Sequence, residues 1–274
     1  MQHITSRKNP IVTRFRQVAR ADATDHVLLD GAHLVAEALD TGIPVPDAVV
    51  ALQARNRPDV RRLVSRLMER GTSVLSASAA VMEAISQVRS ASSIVAIAER
   101  PTHAAPRVYG GDTPLVVIAA DVQDPGNVGA IVRIAEAGGA TGVVFAGSTA
   151  YPWSWKALRG SMGSALRLPV VTDRTVVQAV AEARRHGCRI VASVPRGGQP
   201  HFDADLRGSV AIVIGGEGAG VSADIVETAD LRVTIPMKES VESLNAAVSA
   251  ALLVYEANRQ RRQPETRELH ELRS

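Results

Sequence analysis

The sequence predicts an α/β protein with two domains, a small amino-terminal one and a larger one built on a parallel sheet. Short apolar runs alternate with amphipathic stretches along most of its 274 residues. Residues 101–113 interrupt this alternation with prolines, glycines and no periodicity, which is the composition of an interdomain linker. Beyond it, residues 115–119 and 142–146 form continuous apolar runs, as expected for strands buried on both faces of a parallel sheet. We therefore expect a first domain over residues 1–100, a second over residues 114–263 and a charged tail over residues 264–274.

Composition limits the class of protein. Hydrophobic residues make up 46% of the chain and charged residues 22%, which is typical of a globular protein. No apolar run is long enough for a membrane span, and the first residues lack the apolar core of a signal peptide. The single cysteine, Cys188, excludes an internal disulfide framework. We expect a cytoplasmic protein without membrane association.

The positive charge is carried almost entirely by arginine, because lysine occurs only at Lys8, Lys156 and Lys238. Arginine forks suit bidentate contacts with phosphate, which mildly favours a nucleic-acid partner. With only 3% aromatic residues, broad platforms for stacking single-stranded bases are not expected. The seven histidines are scattered, so no metal site is expected.

The sequence of the first domain predicts alternating helices and strands. Asn9-Pro10 predicts a capped helix whose Ile11, Phe15 and Val18 share a face. Gly42 and Gly71 are placed to end two further helices. Strands are predicted at 26–29, 48–52, 74–75 and 94–97, and helices around 34–39, 60–70 and 79–86.

Arginines are concentrated in this domain, and their spacing leaves two interpretations open. They could contact RNA, or they could form ordinary solvated helix faces. The residues concerned are Arg14, Arg16, Arg20, Arg55, Arg57, Arg61, Arg62, Arg66 and Arg70.

The second domain predicts a doubly wound parallel sheet, whose ligand site by default lies at the carboxyl ends of its strands. Strands are predicted at 115–119, 142–146, 166–171, 190–193, 210–214 and 231–235. Helices are predicted from the loop at 124–127 to Gly138, over 176–186 and 222–228, and after residue 243. The last helix carries one apolar stripe formed by Leu244, Val248, Leu252 and Tyr255.

Three stretches in the last third of the chain suggest a small-molecule pocket built from backbone. A glycine-rich loop at 214–220 follows an apolar strand, and the stretches 235–237 and 242–249 come after it. Glycines let main-chain groups approach a ligand that a Cβ would repel. The ordinary alternative is a turn, a strand ended by Pro236, and a helix capped by Ser243.

These stretches carry a family resemblance. The motifs are Asn127-x-Gly129-Ala130-Ile131-x-Arg133, Gly215-x-Glu217-Gly218-x-Gly220, and Ile235-Pro236-Met237 followed by Ser243-Leu244-Asn245-Ala246-Ala247-Val248-Ser249. They resemble the SpoU (TrmH-like) family of RNA ribose 2′-O-methyltransferases, within the SPOUT superfamily. The resemblance extends to the stretch 158–164 and, more loosely, to amino-terminal stretches similar to the family's ribosomal-protein-like substrate-binding domain.

The resemblance implies a deep trefoil knot in the second domain, bound S-adenosylmethionine and a homodimer whose subunits complete each other's RNA sites. The implied cofactor-binding residues are Gly215, Gly216, Gly218, Gly220, Ile235, Met237 and Leu244. The apolar stripe of the last helix becomes either a dimer interface or an intramolecular core face. The implied substrate is large-subunit ribosomal RNA first and transfer RNA second.

Five residues are implied in catalysis: Arg133, Asn127, Glu217, Ser243 and Asn245. Arg133 lies four residues after Gly129, so we expect both on one helix face. A guanidinium stays protonated, so we assign Arg133 to holding the target phosphate or the 2′-oxygen. Asn127 is interpreted as a helix N-cap, a nucleotide contact or both, and Glu217 as an orienting carboxylate or a solvent-facing turn residue.

Ser243 and Asn245 are helix-start residues and, by family position, polar groups of the active site.

One alternative function is that of an RNA-binding protein that kept the fold and lost the chemistry. A dinucleotide-dependent oxidoreductase is disfavoured, because the glycine run lacks the strand, G-x-G-x-x-G and long-helix context.

Overall fold

The computed structural model describes residues 1–20, 25–218 and 220–262. The chain forms two compact units. The first comprises Met1–Thr102 together with Tyr151–Arg167, and the second comprises His103–Ala150 and the chain from Leu168 onward. The charged tail predicted over 264–274 lies outside the described residues. Within the described part of the chain, no helix is both long and apolar enough to span a membrane.

The first unit is built on a five-stranded mixed sheet. Its strands are β1 His3–Ile4, β2 His26–Asp30, β3 Asp47–Ala51, β4 Ser73–Ala77 and β5 Ile94–Glu99, in the order β1-β4-β3-β5-β2. Strand β5 runs antiparallel to both β2 and β3, whereas β1, β4 and β3 are parallel. The helices are α1 Pro10–Arg20, α2 Ala32–Asp40, α3 Pro58–Glu69 and α4 Ala79–Ile85.

Local signals in this unit act as predicted. The Asn9 side chain accepts a hydrogen bond from the Ile11 amide at 3.0 Å, which caps α1, and Phe15 is fully buried. Gly42 and Gly71 follow α2 and α3 with φ of +74° and +80°, a conformation that glycine adopts without steric cost. The alternating elements predicted for residues 1–100 are therefore confirmed.

Residues 151–167 were expected in the second domain, but they pack in the first unit. They form α6 Trp155–Ser161 and α7 Ser164–Arg167. Arg167 pairs with Glu37 of α2, His33 Nε2 lies 3.2 Å from the Met162 carbonyl oxygen, and the Arg100 guanidinium lies 5.2 Å from the Trp153 ring centroid. These long-range side-chain contacts have no periodic signature in the sequence.

The second unit is built on seven parallel strands. They are β6 Leu115–Ala120, β7 Gly142–Ala146, β8 Val170–Arg174, β9 Arg189–Ser193, β10 Gln199–Pro200, β11 Val210–Gly215 and β12 Leu231–Thr234, in the order β10-β12-β9-β11-β6-β7-β8. The helices are α5 Pro125–Ala137, α8 Val176–Arg185, α9 Ala223–Thr228 and α10 Ala246–Arg262. The parallel α/β architecture is confirmed.

The strand predicted from Leu166 begins instead at Val170. Leu166 lies in α7, and both a helical turn and a strand can bury it, so an apolar run alone does not separate the two states.

The predicted linker also carries structure, because a 3-10 turn at Ala105–Tyr109 places Val108 and Tyr109 in the second unit's core. The Tyr109 ring stacks on His186, with ring centroids 4.4 Å apart.

Helix α10 is fixed to the second unit along one side. A Cβ on Gly138, at the end of α5, would lie 2.2 Å from Val254, so the two helices pack closely there. The opposite stripe of α10 is uncovered in the single chain, since Val248, Leu252 and Tyr255 are 48%, 38% and 52% exposed. These three residues of the predicted stripe therefore do not form an intramolecular core face. The fourth, Leu244, was wrongly placed on this helix, because α10 begins at Ala246.

The carboxyl end of α10 is held by Arg261. Its guanidinium donates hydrogen bonds to four backbone carbonyls, those of Thr113, Pro114, Leu206 and Gly208. These contacts attach the helix to the start of β6 and to the loop before β11.

Candidate active site

A cavity of about 470 Å³ lies in the second unit, at the carboxyl ends of β9, β11 and β12 and at the start of α10. Its volume is within the range of small-molecule sites. The lining residues are Ser193, Val194, Pro195, Ile214, Gly215, Gly216, Glu217, Gly218, Gly220, Val221, Ile235, Met237, Glu242, Ser243, Leu244, Asn245, Ala246 and Ser249. All seven residues predicted to bind the cofactor are among them, with Glu217, Ser243 and Asn245.

The glycine loop forms one wall of this cavity by close approach of backbone. A Cβ on Gly215 would lie 2.1 Å from the carbonyl carbon of Gly220, and one on Gly216 would lie 1.9 Å from the carbonyl oxygen of Asp121. Side chains at these two positions are excluded by fixed backbone atoms rather than by movable side chains. Gly218 and Gly220 have φ of +94° and +66° and complete the turn.

The three motifs meet in one chain of hydrogen bonds. The Asn127 side-chain amide donates to Glu217 Oε1, and the Asn245 amide donates to Asn127 Oδ1 at 2.9 Å. The second oxygen of Glu217 accepts from the Gln123 backbone amide at 3.3 Å. Glu217 is exposed, yet its carboxylate joins the glycine loop to the loop after β6.

The caps of the two helices at this site differ from the predicted ones. Asp124, not Asn127, caps α5, because its side chain accepts the Asn127 backbone amide at 2.9 Å. Asn127 lies in the first turn, so its side chain is free to bond to the other motifs. Asn245, not Ser243, caps α10, accepting the amides of Ala247 and Val248 at 2.9 and 3.2 Å.

Arg133 lies on α5 and is not among the residues lining the cavity. Its side chain is exposed, whereas Gly129, one turn earlier, is buried. Both residues lie on α5 four positions apart, so they share one helix face as predicted, and the exposed side chain on that face is that of Arg133. Among the described residues, the Arg133 side chain makes no hydrogen bond or ion pair within the chain, which leaves all of its guanidinium donors available to a ligand.

Sequence reasoning missed the residues after β9. Ser193, Val194 and Pro195 line the cavity, and Arg196 donates hydrogen bonds to the carbonyls of Glu239 and Val241 at 3.0 and 3.4 Å. Arg196 thereby holds the segment between β12 and α10. The available signal was topological, because β9 is adjacent to β11 and its carboxyl end reaches the same edge of the sheet.

Two further kinds of reactive group, a metal-ligand cluster and a thiol, concern the side chains of the described residues. Across residues 1–20, 25–218 and 220–262, no three His, Cys, Asp or Glu side chains are grouped so as to hold a metal ion. Cys188 is buried, and burial raises the pKa of its thiol, so the nucleophilic thiolate is disfavoured.

The cavity fits S-adenosylmethionine by its construction. At Gly215 and Gly216 a Cβ would clash with neighbouring backbone, so the main-chain groups of these residues stay accessible. Ile235, Met237 and Leu244 add apolar surface to the cavity. Such a wall can receive a flat base while main-chain groups bond to its polar edge. These residues are the ones that could hold the cofactor.

The chain is similar in sequence to known RNA methyltransferases. A sequence profile of the SpoU rRNA Methylase family matches residues 114–255. The chain is 31% identical over 258 residues to the 23S rRNA (guanosine(2553)-2′-O)-methyltransferase RlmP of Bacillus subtilis, covering 93% of this chain and 98% of that one.

Two solved structures are similar over nearly the whole chain. An AdoMet-bound rRNA methyltransferase from Sinorhizobium meliloti superposes with a TM-score of 0.84 at 27% identity, covering 94% of this chain and 97% of the other. The SpoU methyltransferase AviRb from Streptomyces viridochromogenes, in complex with AdoMet, gives 0.81 at 29% identity, covering 90% and 97%. The chain belongs to the SpoU rRNA methylase family.

Proposed function

We propose that this protein transfers a methyl group from S-adenosylmethionine to the 2′-hydroxyl of a ribose in RNA, with 23S ribosomal RNA as the substrate. The observation that carries the proposal is the hydrogen-bonded chain Gln123, Glu217, Asn127 and Asn245, which joins three distant motifs beside a backbone-walled cavity. A ribosomal RNA substrate also supports a cytoplasmic location.

The bound cofactor supplies an electrophilic methyl group on a sulfonium, and transfer to oxygen leaves a neutral thioether. Little charge develops on the leaving group, so the protein contributes mainly by positioning. Gly215, Gly216, Gly218, Gly220, Ile235, Met237 and Leu244 hold the cofactor in this proposal. Asn127, Glu217 and Asn245 fix the loops that face the ribose, and Ser243 adds a hydroxyl at the cavity wall.

Arg133 has the role of holding the RNA. Its guanidinium remains protonated, so it donates to the phosphate or 2′-oxygen of the target nucleotide rather than accepting the proton. A phosphate oxygen of the RNA helps to remove the hydroxyl proton, which is released to water as the new C–O bond forms and the bond from sulfur to the methyl carbon breaks. The exposed position of Arg133, without partners among the described residues, supports this role.

The choice of RNA rests on the relatives. The Bacillus subtilis protein modifies a guanosine of 23S rRNA, and the Sinorhizobium meliloti structure is of an rRNA methyltransferase. Transfer RNA is the second candidate. The first unit is assigned to RNA binding, because folded RNA is recognised through its shape and backbone by a separate domain.

Two further features of the family belong to the proposal. The second unit is assigned a deep trefoil knot, consistent with the close packing of the glycine loop against Asp121. The active form is assigned as a homodimer through α10, whose apolar stripe Val248, Leu252 and Tyr255 is exposed in the single chain.

The test is to incubate the purified full chain with radiolabelled S-adenosylmethionine and, separately, with unmodified 23S rRNA and bulk transfer RNA. Label recovered from 23S rRNA as a 2′-O-methyl nucleotide is the expected result. Label in transfer RNA alone would keep the chemistry and overturn the substrate. No label in either RNA, with no heat of cofactor binding, would overturn the function in favour of a non-catalytic RNA-binding protein.

A further inference from the structure

A polar depression in the first unit lies between α1 and α4, outside the cavity described above. Its volume is about 380 Å³, and its lining includes Arg7, Arg16, Arg20, Glu83 and Gln87. Three guanidinium groups face one carboxylate there, so the depression carries a net positive charge. Such a site attracts an anion, because clustered charges of one sign in a concave surface raise the local potential.

Two of the guanidinium groups are oriented by the backbone of α4. Arg7 Nε donates to the Ala80 carbonyl at 2.8 Å, and Arg16 Nε donates to the Ala84 carbonyl at 2.9 Å. These two carbonyls lie one turn apart on the same helix, so the two arginine forks are fixed side by side. Preorganised donors lose less side-chain entropy on binding a ligand than free ones do.

The arginines keep donors for a ligand after these contacts are made. Arg7 Nη2 donates to Glu83 at 3.1 Å, which leaves Nη1. Neither terminal nitrogen of Arg16 bonds to any residue that the structure describes. Glu83 pairs with Arg7, so no carboxylate lining the depression is left to pair with Arg16 and Arg20.

Most of the arginines on and directly beside α3 already have partners within the fold. Arg57 pairs with Asp59, Arg66 with Asp40, and Arg70 donates to the Leu39 carbonyl, so these three are used within the fold. Arg61 and Arg62 are exposed on α3, and their side chains make no hydrogen bond or ion pair within the described part of the chain. Arg61 and Arg62 are called the α3 pair. Arg7, which precedes α1, and Arg16, which lies on it, are called the α1 pair. The two pairs carry the same charge, but only the α1 pair is held by backbone carbonyls.

We propose that the depression between α1 and α4 binds a backbone phosphate of the substrate RNA, with Arg7 and Arg16 as its ligands and Arg20 as added charge. The inference rests on the proposed function, since it requires an RNA substrate. Fixed arginine forks match the oxygens of a phosphodiester, and contacts of this kind set the position of the RNA without reading its sequence.

The test compares two double variants of the full chain, Arg7→Gln with Arg16→Gln, and Arg61→Gln with Arg62→Gln. Both remove two positive charges from the first unit. Affinity for a 23S rRNA fragment containing the nucleotide labelled in the methyl-transfer test is measured by filter binding between 50 and 300 mM KCl. The α1 pair is expected to weaken binding about tenfold or more and to lower the salt slope by about 2. The α3 pair is expected to change affinity by less than about threefold.

Equal losses in the two double variants would overturn the proposal, because they would show a diffuse electrostatic effect rather than a built site. Unchanged binding in the α1 pair would overturn it as well. Methyl transfer by the unsubstituted chain keeps these outcomes separate from failure of the proposed function. In the α1 pair, KM for RNA is expected to rise while kcat at saturating RNA stays within twofold, and Arg7→Lys with Arg16→Lys is expected to restore only part of the affinity.

Discussion

The two units offer ligands different kinds of surface. In the second unit the cavity wall is main chain, where Gly215 and Gly216 admit no Cβ. In the first unit the depression is made of long side chains, Arg7 and Arg16, which are held by carbonyls of α4. A backbone site is visible in the sequence as glycines after a strand. A site built from side chains depends on which arginines are oriented by tertiary contacts, and the sequence does not show those contacts.

Among the tests of this comparison, Gly216→Ala is expected to have the largest effect, on both stability and cofactor binding. Its Cβ would lie 1.9 Å from the Asp121 carbonyl oxygen, and backbone cannot move away as a side chain can. We expect the free energy of unfolding to fall by about 3 kcal/mol and cofactor binding to be lost. Thermal unfolding and titration calorimetry measure the two quantities.

Gly208→Ala is the matched control, because a Cβ there meets no atom within 4 Å. We expect this variant to bind and unfold as the unsubstituted chain does. If Gly216→Ala behaved like Gly208→Ala, the wall of the cavity would not depend on close backbone approach.

The second unit also presents one apolar side-chain surface, and Tyr255→Glu tests whether it forms the dimer. Tyr255 is 52% exposed in the single chain, and two copies are buried in the proposed interface. A charge at both copies is expected to raise the dimer dissociation constant by about 1000-fold. Sedimentation velocity measures this constant, with Val177→Glu as the control, since Val177 is 65% exposed on α8. A dimer that survived Tyr255→Glu would place the interface elsewhere.

Of the five predicted catalytic residues, Arg133 is the one that neither lines the cavity nor joins the hydrogen-bonded chain. We expect Arg133→Ala to lower kcat by about 100-fold while the cofactor dissociation constant stays unchanged, because one charged donor to the reacting nucleotide is removed. Arg133→Lys keeps the charge and loses the fork, so it is expected to recover only part of the activity. Near-normal turnover in Arg133→Lys would exclude bidentate contact.

The sequence predicted those parts of the site that depend on local backbone chemistry. Gly215, Gly216, Gly218 and Gly220 follow a buried strand, and this pattern located the cavity correctly. The helix caps were misplaced by a few residues, because Asp124 and Asn127, like Ser243 and Asn245, are all able to cap. Only the observed backbone decides which member of each pair does so.

Features that depend on long-range packing were not predicted. Residues 151–167 bury their apolar side chains in the first unit, and contacts such as the Arg167–Glu37 pair have no sequence signature. The same holds for Arg196, whose bonds to Glu239 and Val241 join loops about forty residues apart. Among the arginines of the first unit, spacing alone could not separate Arg16 from Arg61.

Glu217→Gln tests whether the hydrogen-bonded chain contributes to catalysis by orienting the site. The carboxylate accepts from both Asn127 and the Gln123 amide, whereas a glutamine can accept only through one of its two end atoms. We expect kcat to fall about tenfold with little change in unfolding temperature, because the group is exposed and its role is orientation. Steady-state kinetics at saturating cofactor measure this effect, and unchanged turnover would contradict the role.

Charged groups of the second unit that lie away from the cavity are expected to affect stability. Hydrogen bonds from Arg259, then from Gln260, lower the pKa of Glu256 below its ordinary value. A lowered folded-state pKa stabilises the protein above the unfolded pKa, near 4.5, and this stabilisation is lost as pH falls through the folded value.

Glu256→Gln is therefore expected to lower the free energy of unfolding by about 1 kcal/mol at pH 7. The difference from the unsubstituted chain should shrink as pH falls from about 4.5 through the lowered pKa of the folded protein. Urea unfolding across this range measures it. A difference independent of pH would show that packing, rather than the ionised carboxylate, holds this end of α10.

The most direct test of the account is titration of S-adenosylmethionine into the full chain and into its Arg7→Gln, Arg16→Gln variant. The account predicts one cofactor site per chain with the same dissociation constant in both proteins, because the second unit alone supplies the cavity wall. Absence of cofactor binding by the full chain would contradict the assignment of the cavity. A dissociation constant that rose severalfold in the variant would contradict the separation of a backbone-built cofactor site from a side-chain-built RNA site.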